Sequence, residues 1–134
     1  MKIKKITIDP DPYEPFCLAQ GYRVGELLFI SGQAAIDGNG QLVGVGNFDA
    51  QAKQVFANLE RVLHAGGSSL ANVIKVTIFL LDMSNFPKIV ELRGRYFTPP
   101  YPADTIVEVT SLYSPEALIE IEAIAVADEA VERT

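Results

Sequence analysis

Two glutamates, Glu120 and Glu122, share one face of an otherwise apolar run, LIEIEAIAVA at 118–127, with Ile119 and Ile121 on the other face. A carboxylate on a strand that seeks burial is costly unless it is paired or used. Two readings of the pair stand side by side. In one, both glutamates face solvent, although the run holds little else that is polar. In the other, a glutamate lines a wet pocket between subunits, where partial burial raises its pKa and suits it to general acid or base work. A third carboxylate, Asp104, lies just upstream in PADTIVEV at 102–109.

The remaining reactive side chains offer less. One cysteine, Cys17, and one histidine, His64, lie far apart in the chain. They form neither a zinc-type ligand set nor a Cys-His nucleophile pair, and a structural role is expected of each. The glycine-bearing stretch GNGQLVGVG has neither the Walker spacing with its lysine nor a dinucleotide fingerprint, so it reads as a turn. Ser31 follows an apolar strand in ISGQ without a GxSxG elbow and reads as a core or turn serine. Neither a metal nor a cofactor is expected.

The elements that position these residues follow from patterning. The chain has 134 residues, 49% hydrophobic and 21% charged, which fits one domain over 1–134 with its own core. KIKKITI (2–8) alternates as an edge strand guarded by lysines. DPDPYEPF (9–16) is a proline-bound loop. Residues 18–33 read as a hairpin turning at Gly25-Glu26, and DGNG (37–40) as a tight turn. QLVGVG (41–46) reads as a short strand or a loose connection. A helix begins near Asn47 or Asp49, carries Ala52, Val55, Phe56, Leu59, Val62 and Leu63 at helical spacing, and closes at Gly66-Gly67. His64 in its last turn complements the helix dipole. VIKVTIFLLDM (73–83) reads as a central strand covered on both faces. A second helix, capped by Ser84, buries Phe86, Ile89, Val90, Leu92, Tyr96 and Phe97 and ends at Pro99-Pro100. Strands at 105–110 and 118–127 follow, and the polar tail frays. The result is an α+β fold: a mixed sheet with both helices on one face. Nothing left in the chain covers the other face, so self-association is expected.

A net charge of −6 argues against a non-specific nucleic-acid binder. The lone cysteine, the absence of an apolar segment near Met1 and the lack of a spanning apolar run point to a cytoplasmic chain without membrane contact.

Three segments together, RVGELLFISGQAAID (23–37), the block at 50–86 and LIEIEAIAVA (118–127), resemble the Rid family, the reactive intermediate deaminases also called the YjgF family. The resemblance runs from about Gln20 to Ala127. It implies a chorismate-mutase-like fold and a homotrimer whose sheets form a central barrel with clefts between subunits. It also implies cofactor-independent hydrolysis of reactive enamines and imines to a 2-keto acid and ammonia. Carried over by position, Glu120 matches the glutamate that holds the attacking water. Ser31 and Gly32 match the serine and glycine whose backbone orients the ligand, and Ile106 matches a second backbone position. Three pocket side chains differ. The arginine that grips the substrate carboxylate falls on Asp104, a tyrosine on Leu18 and an asparagine on Val90.

Aspartate in place of arginine would repel a carboxylate, so the resemblance implies a substrate other than the usual 2-imino acids. An Asp104–Glu120 pair coupled across the interface would form an acid–base couple, the alternative being that Asp104 caps a strand end. Arg93 and Arg95 are candidates to replace the missing arginine, their other reading being solvent or a surface ion pair. Tyr13, Tyr22 and Tyr113 are candidates for the missing tyrosine. The leading expectation is a hydrolytic deaminase acting on a small molecule. The alternative is a non-enzymatic member that binds a metabolite in the same cleft. Acidic charge, a single histidine and no Arg/Lys-rich face argue against an endoribonuclease, a label the family has also carried.

Overall fold

The structure is a computed structural model that describes all residues, 1–134. Six strands form one mixed sheet in the order β1-β2-β3-β6-β4-β5: β1 (Ile3–Ile6), β2 (Gly21–Val24), β3 (Leu27–Gln33), β4 (Val73–Leu80), β5 (Ala103–Glu108) and β6 (Ile119–Val126). β4 and β5 run parallel, joined by the crossover that carries α2 (Phe86–Tyr96), and the other pairings are antiparallel. The fold is α+β with both helices on one face. β1 is an edge strand as its lysines predict, but it and the two C-terminal strands begin or end a few residues from the expected bounds.

α1 (Phe48–Ala65) starts where the Asn47 side chain accepts the Ala50 N–H and stops at Gly66. Its buried stripe, from Ala52 to Leu63, packs on Leu28 and Ile30 of β3 and on the inward residues Ile119, Ile121, Ala123 and Ala125 of β6. Phe56 reaches across to α2, stacking on Tyr96 with ring centres 4.2 Å apart and meeting Phe97 edge-on.

Four expectations need correction. The apolar run at 73–83 stops being strand at Leu80, because the Asp82 carboxylate caps a single helical turn at Met83–Asn85 by accepting the Ser84 N–H. α2 accordingly starts after Asn85 rather than at Ser84. Its stripe is narrower than its sequence implies: Ile89, Leu92 and Phe97 are buried, whereas Phe86 and Val90 are exposed. The tail is tied down, with Asp128 accepting from Ser69 and Asn72, Arg133 donating to Ala71 and Asn72, and Glu129 paired with Arg23. Of the two readings of 41–46 the loose connection holds: the stretch forms no strand and contributes one isolated bridge, Ile36 to Leu42.

β4 is covered on one face only. The other face of the sheet presents Tyr22, Leu27 and Phe29, all exposed, beside half-buried Phe79, Ile124 and Val126. No element of this chain lies over them. No helix is long and apolar enough to cross a membrane.

Gln51, fully buried on α1, fastens the loop that leads into β6. Its amide donates to the carbonyls of Gly44 and Glu116 and its oxygen accepts the Leu118 N–H at 2.8 Å. Gln51→Leu keeps the volume but strands three backbone groups. We expect a loss of about 2–4 kcal/mol in urea unfolding, with the slope of the transition unchanged.

Candidate functional site

Glu120 sits on the bare face of β6, opposite Phe79 of β4, while its neighbours Ile119 and Ile121 point into the core. Beside it the pairing of β3 with β6 slips between Ile30 and Gln33, a bulge that falls on Ser31 and Gly32. The bulge brings the Gly32 backbone against the carboxylate. A Cβ at Gly32 would lie 2.5 Å from Glu120 Oε2 and 2.9 Å from its Cδ, so only glycine leaves the carboxylate where it is.

A cavity of about 270 Å³ opens over this contact, walled by Tyr13, Phe16, Leu18, Ala34, Ile36 and Tyr113. Tyr13 braces it. Its hydroxyl donates to the Gly32 carbonyl at 2.6 Å and accepts the Ala34 N–H, and burial pushes its pKa up to about 12. Behind the bulge, Gln33 donates to Gln20 and to the Ser31 carbonyl, and Gln20 donates to Asp11, which ties the proline loop to β3. Ser31 spends its hydroxyl on the Ala19 carbonyl at 2.6 Å, which fits the reading of a turn serine.

Burial in this apolar setting raises the Glu120 pKa, and the charge of Glu122 adds to the effect. Glu122 itself is exposed. The solvent reading thus holds for Glu122 and not for Glu120, which lines a cavity. Tyr113 faces the same cavity, and burial together with the Glu120 charge raises its phenol as well.

The structure divides the candidate residues between two places. Glu120, Gly32 and Leu18 line the cavity, and Ser31 adjoins it. Asp104 and Val90 line a second cavity of about 460 Å³ with Arg93, Gly94 and Tyr101. Asp104 pairs in register with core-facing Val76, whereas Glu120 pairs with Phe79 on the opposite face, so the two carboxylates do not meet within one chain. Nor is Asp104 a free charge. Arg93 holds it through two hydrogen bonds, Nε to Oδ2 at 2.9 Å and Nη2 to Oδ1 at 3.0 Å. Ile106 lines neither cavity and packs half-buried against the core. Arg95 pairs with Glu91 at the surface, and Tyr22 lies on the bare sheet face. Phe16, Ala34 and Ile36 were not foreseen as wall residues, because the bulge that brings them together has no sequence signature. No group of three metal-ligating side chains occurs.

The raised Glu120 pKa has a consequence for folding. The native state holds this proton more tightly than the unfolded chain, so stability contributed at low pH is lost as pH rises from the ordinary carboxylate value of 4.5 through the raised one. Glu120→Gln should melt higher than the parent at neutral pH. That advantage should vanish below about pH 4, in paired thermal melts across the range.

The sequence matches the family described as Endoribonuclease L-PSP over residues 9–127. It is 42% identical over 116 residues to a RutC family protein of Pyrococcus horikoshii, covering 87% of this chain and 90% of that one. It is 31% identical to a protein of Dermatophagoides farinae named 2-iminobutanoate/2-iminopropanoate deaminase, covering 93% of this chain and 95% of the relative. Among solved structures, RidA from an Antarctic Psychrobacter superposes with a TM-score of 0.84 at 34% identity, over 92% of this chain and 98% of that one. With the fold and these relatives in agreement, the chain belongs to the Rid (YjgF) family.

Proposed function

We propose that the protein is a cofactor-independent deaminase that hydrolyses a reactive imine or enamine to a carbonyl compound and ammonia. The observation that carries this reading is the Glu120 carboxylate, half-buried in an apolar cavity against the Gly32 backbone with its pKa raised. A relative whose name is that of an imine deaminase supports it.

In the reaction, Glu120 takes a proton from a water molecule as the water oxygen bonds to the imine carbon. Glu120 passes that proton to nitrogen as the C=N π electrons move there, giving a carbinolamine. Glu120 then takes the carbinolamine hydroxyl proton and delivers it to the amine as the C=O bond forms, the C–N bond breaks, and ammonia leaves. A carboxyl group with a raised pKa serves both halves, because it accepts and returns the proton with less bias. The apolar walls limit access of bulk water, and Tyr113 lines the same cavity as Glu120.

The assembly is part of the proposal. A homotrimer with its bare sheet faces turned inward as a barrel, in a chorismate-mutase-like arrangement, would bury Tyr22, Leu27 and Phe29 and set the cavities at subunit boundaries. The exposed apolar face supports this reading.

Ammonia release from freshly generated 2-iminobutanoate tests the function. Acceleration should be present in the parent and lost by at least about a hundredfold in Glu120→Gln. Binding of the keto-acid product without turnover would instead favour a metabolite-binding protein. Gly32→Ala is the sharper probe. The added methyl meets the movable end of a side chain, so the fold should survive with its melting temperature little changed. Activity should fall about as far as in Glu120→Gln, since the carboxylate is displaced.

A further inference from the structure

Three aromatic rings and one carboxylate wall the cavity that holds Glu120. Tyr13 and Phe16 come from the proline loop, and Tyr113 comes from the loop between β5 and β6. The Tyr13 hydroxyl is spent on the Gly32 carbonyl and the Ala34 N–H, so what it offers the cavity is its ring. Phe16 and Tyr113 stand at the mouth, 67% and 55% exposed. Cys17, between Phe16 and Leu18, takes φ +62° and closes a single helical turn through its N–H to the Glu14 carbonyl. This left-handed conformation is uncommon outside glycine, and the residues on both sides of it line the same cavity.

The charges around this cavity have one sign. No lysine, arginine or histidine walls it. The charges that act on the Tyr13 and Tyr113 phenols are the carboxylates of Glu120, Asp11 and Glu116, and Glu122 acts on Glu120. Arg93 is engaged by Asp104 and lines a separate cavity. An entering anion therefore meets repulsion, whereas a cation meets a carboxylate and the faces of aromatic rings. A ring face attracts a cation through its quadrupole, more strongly where water is limited, and aromatic cages hold organic ammonium groups in this way.

We propose that this cavity selects an organic cation, and that the substrate is a primary iminium ion with a small apolar chain and no carboxylate. The substrate part rests on the deaminase reading of Glu120, and the cation part rests on the cavity alone. The chemistry agrees with the charge. A protonated imine is the more electrophilic form, and it arrives with the proton that a neutral imine must draw from Glu120. The water oxygen bonds to the iminium carbon as Glu120 takes a water proton and the C=N π electrons neutralise nitrogen. Glu120 then protonates the amine of the carbinolamine. The C–N bond breaks as C=O forms, and the hydroxyl proton leaves with ammonia as ammonium. Iminium and water thus give a carbonyl compound and ammonium. Such an iminium forms when a primary amine loses a hydride from its α-carbon, so an amine-oxidising reaction must supply this substrate.

Binding and turnover test the two parts separately. Two-dimensional NMR of the ¹⁵N-labelled protein, above neutral pH, should show butylammonium shifting the Gly32 and Ala34 amides. Its affinity should exceed that of 1-butanol by at least about tenfold, and butanoate should leave both amides unmoved. Glu120→Gln should reduce butylammonium to the level of the alcohol. Glu122→Gln, which removes the same charge from the exposed neighbour, should keep the preference. Tyr113→Leu keeps an apolar wall without a ring face, and should weaken butylammonium about three- to tenfold while sparing the alcohol. Ammonia release is then followed with imines generated by flavin-dependent oxidation of propylamine and of the corresponding amino acid. There kcat/KM for propan-1-imine should exceed that for 2-iminobutanoate by at least about tenfold. Equal binding of butanoate and butylammonium overturns the proposal, as does an equal loss in Glu122→Gln. Deamination that favours 2-iminobutanoate overturns the substrate part and leaves the deaminase reading standing. Cation-selective shifts without turnover of either imine uphold the site and remove the deaminase reading.

Discussion

The contact on which the candidate site depends is the carboxylate of Glu120 lying against a backbone with no side chain. Burying an ionisable group in an apolar strand is unfavourable, and here it is made tolerable by geometry rather than by a counter-ion. The bulge at Ser31–Gly32 breaks the β3–β6 ladder at the position where Glu120 needs room, and glycine removes the atom that would fill it. The resulting carboxyl is neither fully solvated nor paired. That intermediate state is the one a group needs if it is to accept and release a proton in a single cycle.

A half-buried, unpaired carboxylate persists only where its surroundings fix it. Three tethers converge on it. Tyr13 pins the Gly32 carbonyl from the proline loop, the Gln33–Gln20–Asp11 relay holds the bulge from behind, and Gln51 fastens the entry to β6. All three run between segments distant in sequence, and Gln20, Gln33 and Gln51 are fully buried. Buried amides cost free energy unless every group is satisfied, and no buried side-chain polar atom in this chain lacks a partner. Two of these amides hold the bulge and the third the entry to β6, the elements that carry Gly32 and Glu120.

How far the sequence reaches depends on the range of the interaction concerned. Local signals read true: the Asn47 cap, the Gly25 turn, the stop at Gly66 and the two-residue period that separates Glu120 from Ile121. Hydrophobic runs overstate the elements, because Met83 is apolar for packing against the core while Asp82 has already turned the chain. Phe86 and Val90 were likewise placed in the core by periodicity alone. The bulge, the tyrosine brace and the Arg93–Asp104 pair are not legible at all. Each is a relation between elements, and in the last case α2 and β5 face each other only because the crossover packs on the sheet. Position alone placed Asp104 near the start of β5 and could not supply its partner Arg93.

The bare sheet face and the chemistry of Glu120 are linked by the same physics. Glu120 belongs to the face that no helix covers, in the row with Phe79 and its neighbour Val107. Its pKa is raised chiefly by lost hydration. Any copy of the chain laid over Tyr22, Leu27 and Phe29 removes apolar surface from water and extends that lost hydration toward the strand bearing Glu120. Association and acid–base competence then draw on one driving force. In the proposed assembly the carboxylate would sit in a drier cavity than in a free subunit, and its proton affinity would rise as the apolar face is covered.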